Sequence, residues 1–238
     1  MRLQSDVRLS IIVPILNEGA QAEACVRRLA PLRAAGHELI LVDGGSHELL
    51  VDRLEPQVDR LLQGEAGRAR QMNLGARAAM GEVFWFLHAD TWPIDDAVAA
   101  IQAANLSQPA WGRFDVRLDG RAGLLRLVER MMNGRSRWSG IATGDQGIFV
   151  HRELFRQVGG FPDQPLMEDI EISARLKRLR RPVCLPQQLL TSSRRWQQQG
   201  ILRTIVLMWG LRLAYWLGVS PERLAGYYNL KPWAHDGT

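Results

Sequence analysis

Lysine is almost missing from this chain: of 30 basic residues among 238, only Lys177 and Lys231 are not arginine. No G-x-x-x-x-G-K-S/T run occurs, so a Walker-type phosphate loop is not supported, and without G-x-G-x-x-G neither is a classical dinucleotide fold. The absence of G-x-S-x-G removes the usual hydrolase nucleophile. Cysteine is scarce as well. Cys25 and Cys184 share no motif spacing and read as a buried, reduced pair in a reducing, cytoplasmic compartment. Long apolar runs are lacking: the nearest approach to the ~20 residues of a membrane span is 201–219, which Arg203 and Arg212 interrupt. The N-terminal apolar stretch is short, holds Pro14 and runs into Asn17-Glu18, unlike a secretory leader. There is no Ser/Gly-rich linker, internal repeat or low-complexity tract, and no basic patch interleaved with aromatics that would suit nucleic acid.

What remains is a chain with 46% hydrophobic residues, enough for one α/β domain or one domain with an appendage. Its formal charge of +5 suits anionic partners such as phosphorylated metabolites or a membrane surface. Strands are expected at 9–15, 38–43, 58–62 and 82–88, with helices at 19–35 and 66–80. Another helix is expected after Pro93, with Asp95 and Asp96 in its first turn. Strands apolar throughout, alternating with helices, predict a largely parallel sheet covered on both faces. The second half predicts a strand at 111–118 and a helix at 122–133. "GDQGIFVHRELF" reads as strand then helix, and "MEDIEISARLKRLRR" as a helix. One or two short strands fit 182–195, and the chain is helical from 197, with a second short helix after Pro221.

Ligands of open parallel sheets bind beyond the carboxyl ends of the strands. Three expected strand ends carry polar groups: Asn17-Glu18, Asp43-Gly44-Gly45-Ser46 and His88-Ala89-Asp90. Each taken singly also suits helix capping; three together point to a site. His88 and Asp90, two apart on a continuing strand, would face one side and could hold a divalent cation. Alternatively, Asp90 caps the next helix. Arg68 lies near an expected helix N-terminus, where phosphate is favoured. Arg70, Asn73 and Arg77 share one helical face, which is either anion-binding or simply solvated. In "MEDIEIS", Glu168, Asp169 and Glu171 open a helix. They either offset its dipole, with Glu171 pairing Arg175, or supply a general base.

In this order, "SIIVPILNE", "LILVDGGS", "GRARQMNLGARAAMGEVFWFLHADT" and "GIFVHRELFRQVGGFPDQPLMEDIEIS" resemble a family 2 glycosyltransferase of the GT-A fold. The resemblance spans roughly 9–180. The version with "FLHADT", "GDQGIF" and "SSRRW" is similar to a bacterial subgroup. It implies a GT-A three-layer sandwich with a mostly parallel central sheet over 1–196. The nucleotide-binding half would cover about 1–105 and the acceptor half about 106–196, with a helical extension over 197–238.

The resemblance also implies a nucleotide-diphosphate sugar donor. Pro14, Asn17, Glu18 and Asp43 would line the nucleoside pocket, and Arg68 and Asn73 would approach the phosphates. "HAD" stands where the family has D-x-D, so Asp90, with His88, would bind Mn2+ or Mg2+. Asp169, with Glu168 beside it, would be the base of an inverting transfer. Asp145, Gln146 and Arg195 would lie near donor or acceptor. Two departures are visible. Gly44 replaces a second aspartate, removing a polar contact to the nucleoside. His88 replaces the first aspartate of D-x-D, favouring manganese or weak metal dependence.

Two rival readings are a nucleotidyltransferase and a non-catalytic nucleotide-sugar sensor. The first wants a glycine- and basic-rich loop where "VPILNEGAQ" offers an acid. The second fits His88 and Gly44, but not the retained Asp90, Glu168 and Asp169. For 200–219, packing on the domain or a homodimer contact is favoured over shallow docking at the inner face of a membrane that presents a lipid-linked acceptor.

Overall fold

The computed structural model describes residues 7–47 and 51–229. The first half holds β1 (Leu9–Ile15), α1 (Gly19–Ala34), β2 (Glu38–Asp43), α2 (Val51–Leu54), β3 (Arg60–Gln63), α3 (Arg68–Ala78), β4 (Val83–Phe86), β5 (Thr91–Pro93) and α4 (Ala97–Asn105). The second holds β6 (Trp111–Leu118), α5 (Gly123–Ser139), β7 (Phe149–His151), α6 (Arg152–Gln157), α7 (Glu168–Leu179), β8 (Val183–Thr191), α8 (Arg194–Gln199), α9 (Ile201–Trp216) and α10 (Pro221–Asn229). One sheet takes the order β3-β2-β1-β4-β7-β6-β8-β5. β3, β2, β1 and β4 are parallel, as are β6 and β8; β7 and β5 run against their neighbours.

The strands are apolar on both faces because both faces are covered. Leu9, Ile11, Val13 and Ile15 of β1 pack with Ala22, Cys25, Val26 and Leu29 of α1 and Ile101 of α4. Ile12, Ile40 and Val42 point the other way, onto Ala69, Met72 and Ala76 of α3 and the cluster of Phe84, Phe86, Phe155 and Phe161. The result is the three-layer arrangement expected. α3 sits unusually close to the sheet at Gly75, where an added Cβ would lie 2.5 Å from Ile12 Cγ2 and 3.1 Å from Val42 Cγ2. Gly75→Val is therefore expected to destabilise the fold by about 2–3 kcal/mol through overpacking, read as a lower midpoint in urea unfolding. An unchanged midpoint would show that α3 can lift off the sheet freely.

Several boundaries differ from the sequence expectation. The strand expected to continue through His88 stops at Phe86. The chain then turns, with the Thr91 N–H donating to the His88 carbonyl at 3.0 Å, and starts β5. Asp95 and Asp96 precede α4 instead of lying in it. Asp96 caps the helix by accepting from the Ala99 N–H at 3.2 Å, and Asp95 accepts from the Gln188 N–H at 3.1 Å. Within 182–195 one strand forms, β8 (Val183–Thr191), and α8 begins at Arg194. Both cysteines are free, but only Cys25 is fully buried, where desolvation pushes its thiol up to about 12; Cys184 is half-buried.

Beyond β8, Ile201 and Ile205 of α9 pack on Leu125 and Val128 of α5. Leu211 packs with Leu224 and Tyr228 of α10 against Leu166 and Met167. The opposite face of α9 leaves Leu202, Val206, Trp209, Leu213 and Trp216 exposed. Among the described residues, no helix is long and apolar enough to cross a membrane.

Candidate active site

A cleft of about 320 Å³ opens beyond the carboxyl ends of β1, β4 and β8. Pro14 and Ile15 end β1, Leu16 and Glu18 come from the turn after it, and His88, Ala89 and Asp90 come from the turn after β4. Gly67, Arg68 and Gln71 belong to the start of α3, Asp145 to a short 3-10 turn (144–146), and Thr191, Ser192, Arg194 and Trp196 to the end of β8 and the start of α8. The polar groups thus converge on the rim where parallel strands end, as the topology demands.

Glu18 stands at the N-cap position of α1 but makes no side-chain cap bond, so its carboxyl is left for the cleft. Burial, and then the Asp90 charge, raise its pKa above the ordinary value. His88 lies with Nδ1 3.5 Å from Asp145 Oδ1. Burial alone would lower the His88 pKa; the Asp145 hydrogen bond and the Asp145 and Asp90 charges outweigh it, so the shift is upward. The other side of the ring packs on Gly144, where an added Cβ would sit 2.5 Å from Nε2. Only glycine allows that approach. It also lets the Gly144 N–H reach Asp169 Oδ2 at 2.9 Å, linking His88, the 3-10 turn and the start of α7.

Arg68 Nε lies 3.0 Å from Glu168 Oε1. Glu168 is 3% exposed, and its Oε2 is buried without a hydrogen bond. Burial and the neighbouring Asp169 raise the Glu168 pKa, against the opposing pull of Arg68. The residue before it, Met167, adopts φ 66, a left-handed conformation that costs a non-glycine residue about 1–2 kcal/mol. That strain turns two consecutive acids toward the domain interior at the helix start. Asp169 acts electrostatically on Arg68 in the cleft and on Arg135 and Arg212 outside it, so it lies between the two regions.

Not every expected residue lines this cleft. Asp43 accepts from the Ser46 N–H at 3.1 Å and the Ser46 hydroxyl at 2.5 Å. Asn17 donates its N–H to that hydroxyl at 2.9 Å and accepts from the His47 N–H at 3.0 Å. These two residues clasp the turns after β1 and β2. Asn73 spends its amide on the backbone of Phe161, at 2.8 and 3.0 Å, and Arg70 pairs with Glu65 and Asp163. That face of α3 therefore holds the 159–163 loop, and the adjacent face presents Arg68 to the cleft. Gln146 is fully buried, accepting from the Thr143 N–H and donating to the Ser136 hydroxyl, so it holds the 3-10 turn on α5. Glu171 pairs with Arg175 at 2.9 Å. The Arg195 side chain lies outside the described residues.

Gln71 was not foreseen. Its Nε2 donates to the carbonyls of Ile15 and Val42, both at 2.8 Å, tying β1 to β2 at the cleft floor. A Cβ at Gly44 would meet this amide at 3.1 Å, so Gln71 fills the space that an aspartate at 44 would need. The signal was present: a glutamine beside the apolar stripe Ala69, Met72, Ala76 on a helix facing the sheet.

Among the described residues, no three His, Cys, Asp or Glu side chains converge as a metal cage. Asp90 and Asp145 both line the cleft. Such a donor set fits a hard cation that takes one or two protein ligands and completes its shell with phosphate oxygens. His88 fits less well, because its ring nitrogens turn to Asp145 and to the Gly144 backbone.

The family model described as glycosyl transferase family 2 matches residues 10–146. An uncharacterised protein of Mycobacterium tuberculosis is 25% identical over 213 residues, covering 76% of this chain and 65% of its own length. TarS of S. aureus, solved with UDP-GlcNAc, is 18% identical with a TM-score of 0.62, over 78% of this chain and 58% of that one. The mannosyltransferase PcManGT of Pyrobaculum calidifontis, solved with GDP-Man and Mn2+, is 20% identical with a TM-score of 0.60, over 77% and 56%. The chain thus spans a little over half the length of these two structures and about two thirds of the mycobacterial relative.

Proposed function

The chain belongs to glycosyl transferase family 2 and has the GT-A fold, and from that premise we propose that it moves a sugar from a nucleoside-diphosphate donor to an acceptor hydroxyl. One observation carries this reading: a basic side chain, Arg68, and the acids Glu18, Asp90 and Asp145 line a single cleft at the carboxyl rim of the parallel strands. The donor diphosphate lies there against Arg68 and Arg194. The first turn of α3 adds N–H groups that carry no side-chain cap. Glu168 holds Arg68 by Nε and so fixes the guanidinium before the substrate arrives, which is where electrostatic preorganisation takes effect.

Asp90, with Asp145 beside it, would hold a divalent cation; TarS and PcManGT support the nucleotide-sugar class of donor, and PcManGT a manganese ion. When bound, the cation neutralises charge on the diphosphate. Asp169 takes the proton of the acceptor hydroxyl. The new bond to the anomeric carbon forms opposite the departing nucleoside diphosphate, so the configuration inverts. His88 holds Asp145 in place from behind.

Thermal melting with a panel of nucleoside diphosphates, with and without Mn2+, tests the donor site. One nucleotide is expected to raise the melting temperature, more so with Mn2+. Asp90→Asn is expected to abolish the Mn2+ increment and weaken nucleotide binding by about tenfold. A flat panel in the wild type would remove the donor reading. An intact increment in Asp90→Asn would move the cation elsewhere.

A further inference from the structure

Next to the donor cleft lies a second cavity, of about 80 Å³, that shares Asp145 and Trp196 with it. Met131, Met132 and Arg135 come from α5, and Met208, Trp209 and Arg212 from α9. Arg135 follows Met131 by four residues and Arg212 follows Met208 by four, so each arginine shares a helical face with a methionine. Both arginines line this cavity, and the charge of Arg212 acts on Arg135.

Their chemistry is incomplete. Arg135 Nε and Nη2 and Arg212 Nε are buried with no hydrogen-bond partner. No described residue forms an ion pair with either arginine. Desolvation, then repulsion from Arg212, pushes Arg135 down to about 10, and desolvation also lowers Arg212. Two partly buried cations lining one cavity are costly unless an anion joins them. Asp169 acts on both arginines from the donor side, and Asp145 on Arg212. The remaining wall is apolar, and it continues onto the exposed Trp209 and Leu213 of α9.

We propose that this second cavity is the acceptor subsite, and that the acceptor carries a phosphate group held between Arg135 and Arg212 with an apolar portion against the methionines and Trp209. As an acceptor site it rests on the donor reading above. A phosphate bound there sets an adjacent hydroxyl toward Asp169 and the cleft shared through Asp145. Both a lipid phosphate and a soluble phosphoester have this chemistry, and only the former would extend along the exposed face of α9.

Calorimetric titration of the full chain with hexyl phosphate, hexanol and inorganic phosphate tests the subsite. Hexyl phosphate is expected to bind about tenfold more tightly than either of the other two, and Arg135→Gln and Arg212→Gln each to remove about tenfold of that affinity. Both variants should keep the wild-type affinity for the nucleoside diphosphate, and a melting temperature no lower than wild type, because each removes an uncompensated charge. Co-sedimentation with phosphatidylcholine vesicles, plain or carrying phosphatidic acid, separates the sources. Capture by the doped vesicles that Arg212→Gln abolishes assigns a lipid phosphate; hexyl phosphate binding without capture assigns a soluble phosphoester. Equal affinity for hexyl phosphate and hexanol, or affinity that both variants leave unchanged, overturns the subsite. Hexyl phosphate binding by a chain that binds no nucleoside diphosphate keeps the anion site and removes only the donor reading.

Discussion

Asp169→Asn is expected to lower the transfer rate by about 10²–10⁴-fold while leaving nucleoside diphosphate affinity within about twofold of wild type. The substitution is chosen for its geometry. Asp169 accepts from the Gly144 N–H at 2.9 Å and from the Ile170 N–H at 2.7 Å. With its amide oxygen turned to the Gly144 N–H, asparagine keeps the link between the 3-10 turn and α7 and gives up the local bond from Ile170. What disappears is the ability to take a proton. A variant that retains near-normal transfer with an unchanged melting temperature would remove Asp169 as base. A variant that loses nucleotide affinity along with rate would make Asp169 a structural strut between the two cavities instead.

The second large effect concerns the pair behind the diphosphate site. Arg68→Gln is expected to weaken nucleoside diphosphate binding by about 10²-fold, because a charge-assisted fork is lost from the cleft. It also strips Glu168 of its counter-charge. Glu168 is 4% exposed at its side chain and Arg68 is 40% exposed, so the stability loss is about 2 kcal/mol at neutral pH, below the roughly 3–5 kcal/mol of a fully buried pair. The loss depends on pH in a defined direction. The folded-state pKa of Glu168 is already raised above 4.5, and removing Arg68 raises it further. A raised carboxyl pKa contributes stability that is present below the unfolded value and lost as pH climbs through the folded value. The gap between Arg68→Gln and wild type should therefore be small below about pH 4.5 and widen toward pH 8. Adding Glu168→Gln should close most of the gap at pH 8. Urea midpoints across that range check it; a gap independent of pH would show that Arg68 stabilises by packing alone.

Much of this site was legible before any coordinates. The apolar runs of β1, β2 and β4 left no choice of where their polar ends should fall, so Glu18, Asp90 and Arg68 were found together. Asn73 and Gln146 misled because a polar residue near a strand end reads the same whether it faces a ligand or binds backbone. Here their amides are consumed by Phe161, Thr143 and Ser136. β5 and the reversed β7 are three residues each, too short to show a period. Arg212 was visible as an interruption in an apolar helix. Its meaning depends on Arg135, 77 positions away, being brought opposite by the packing of α9 on α5.

The central claim is that one cleft holds a nucleotide sugar by its diphosphate, and release of nucleoside diphosphate from a set of nucleotide sugars tests it most directly. The purified chain with Mn2+ should hydrolyse one donor slowly, Arg68→Gln should abolish that release, and Arg117→Gln, at an exposed residue that lines neither cavity, should not. Absence of release from every donor in a protein that also shifts with no nucleotide, or release equally fast in Arg68→Gln, would contradict it.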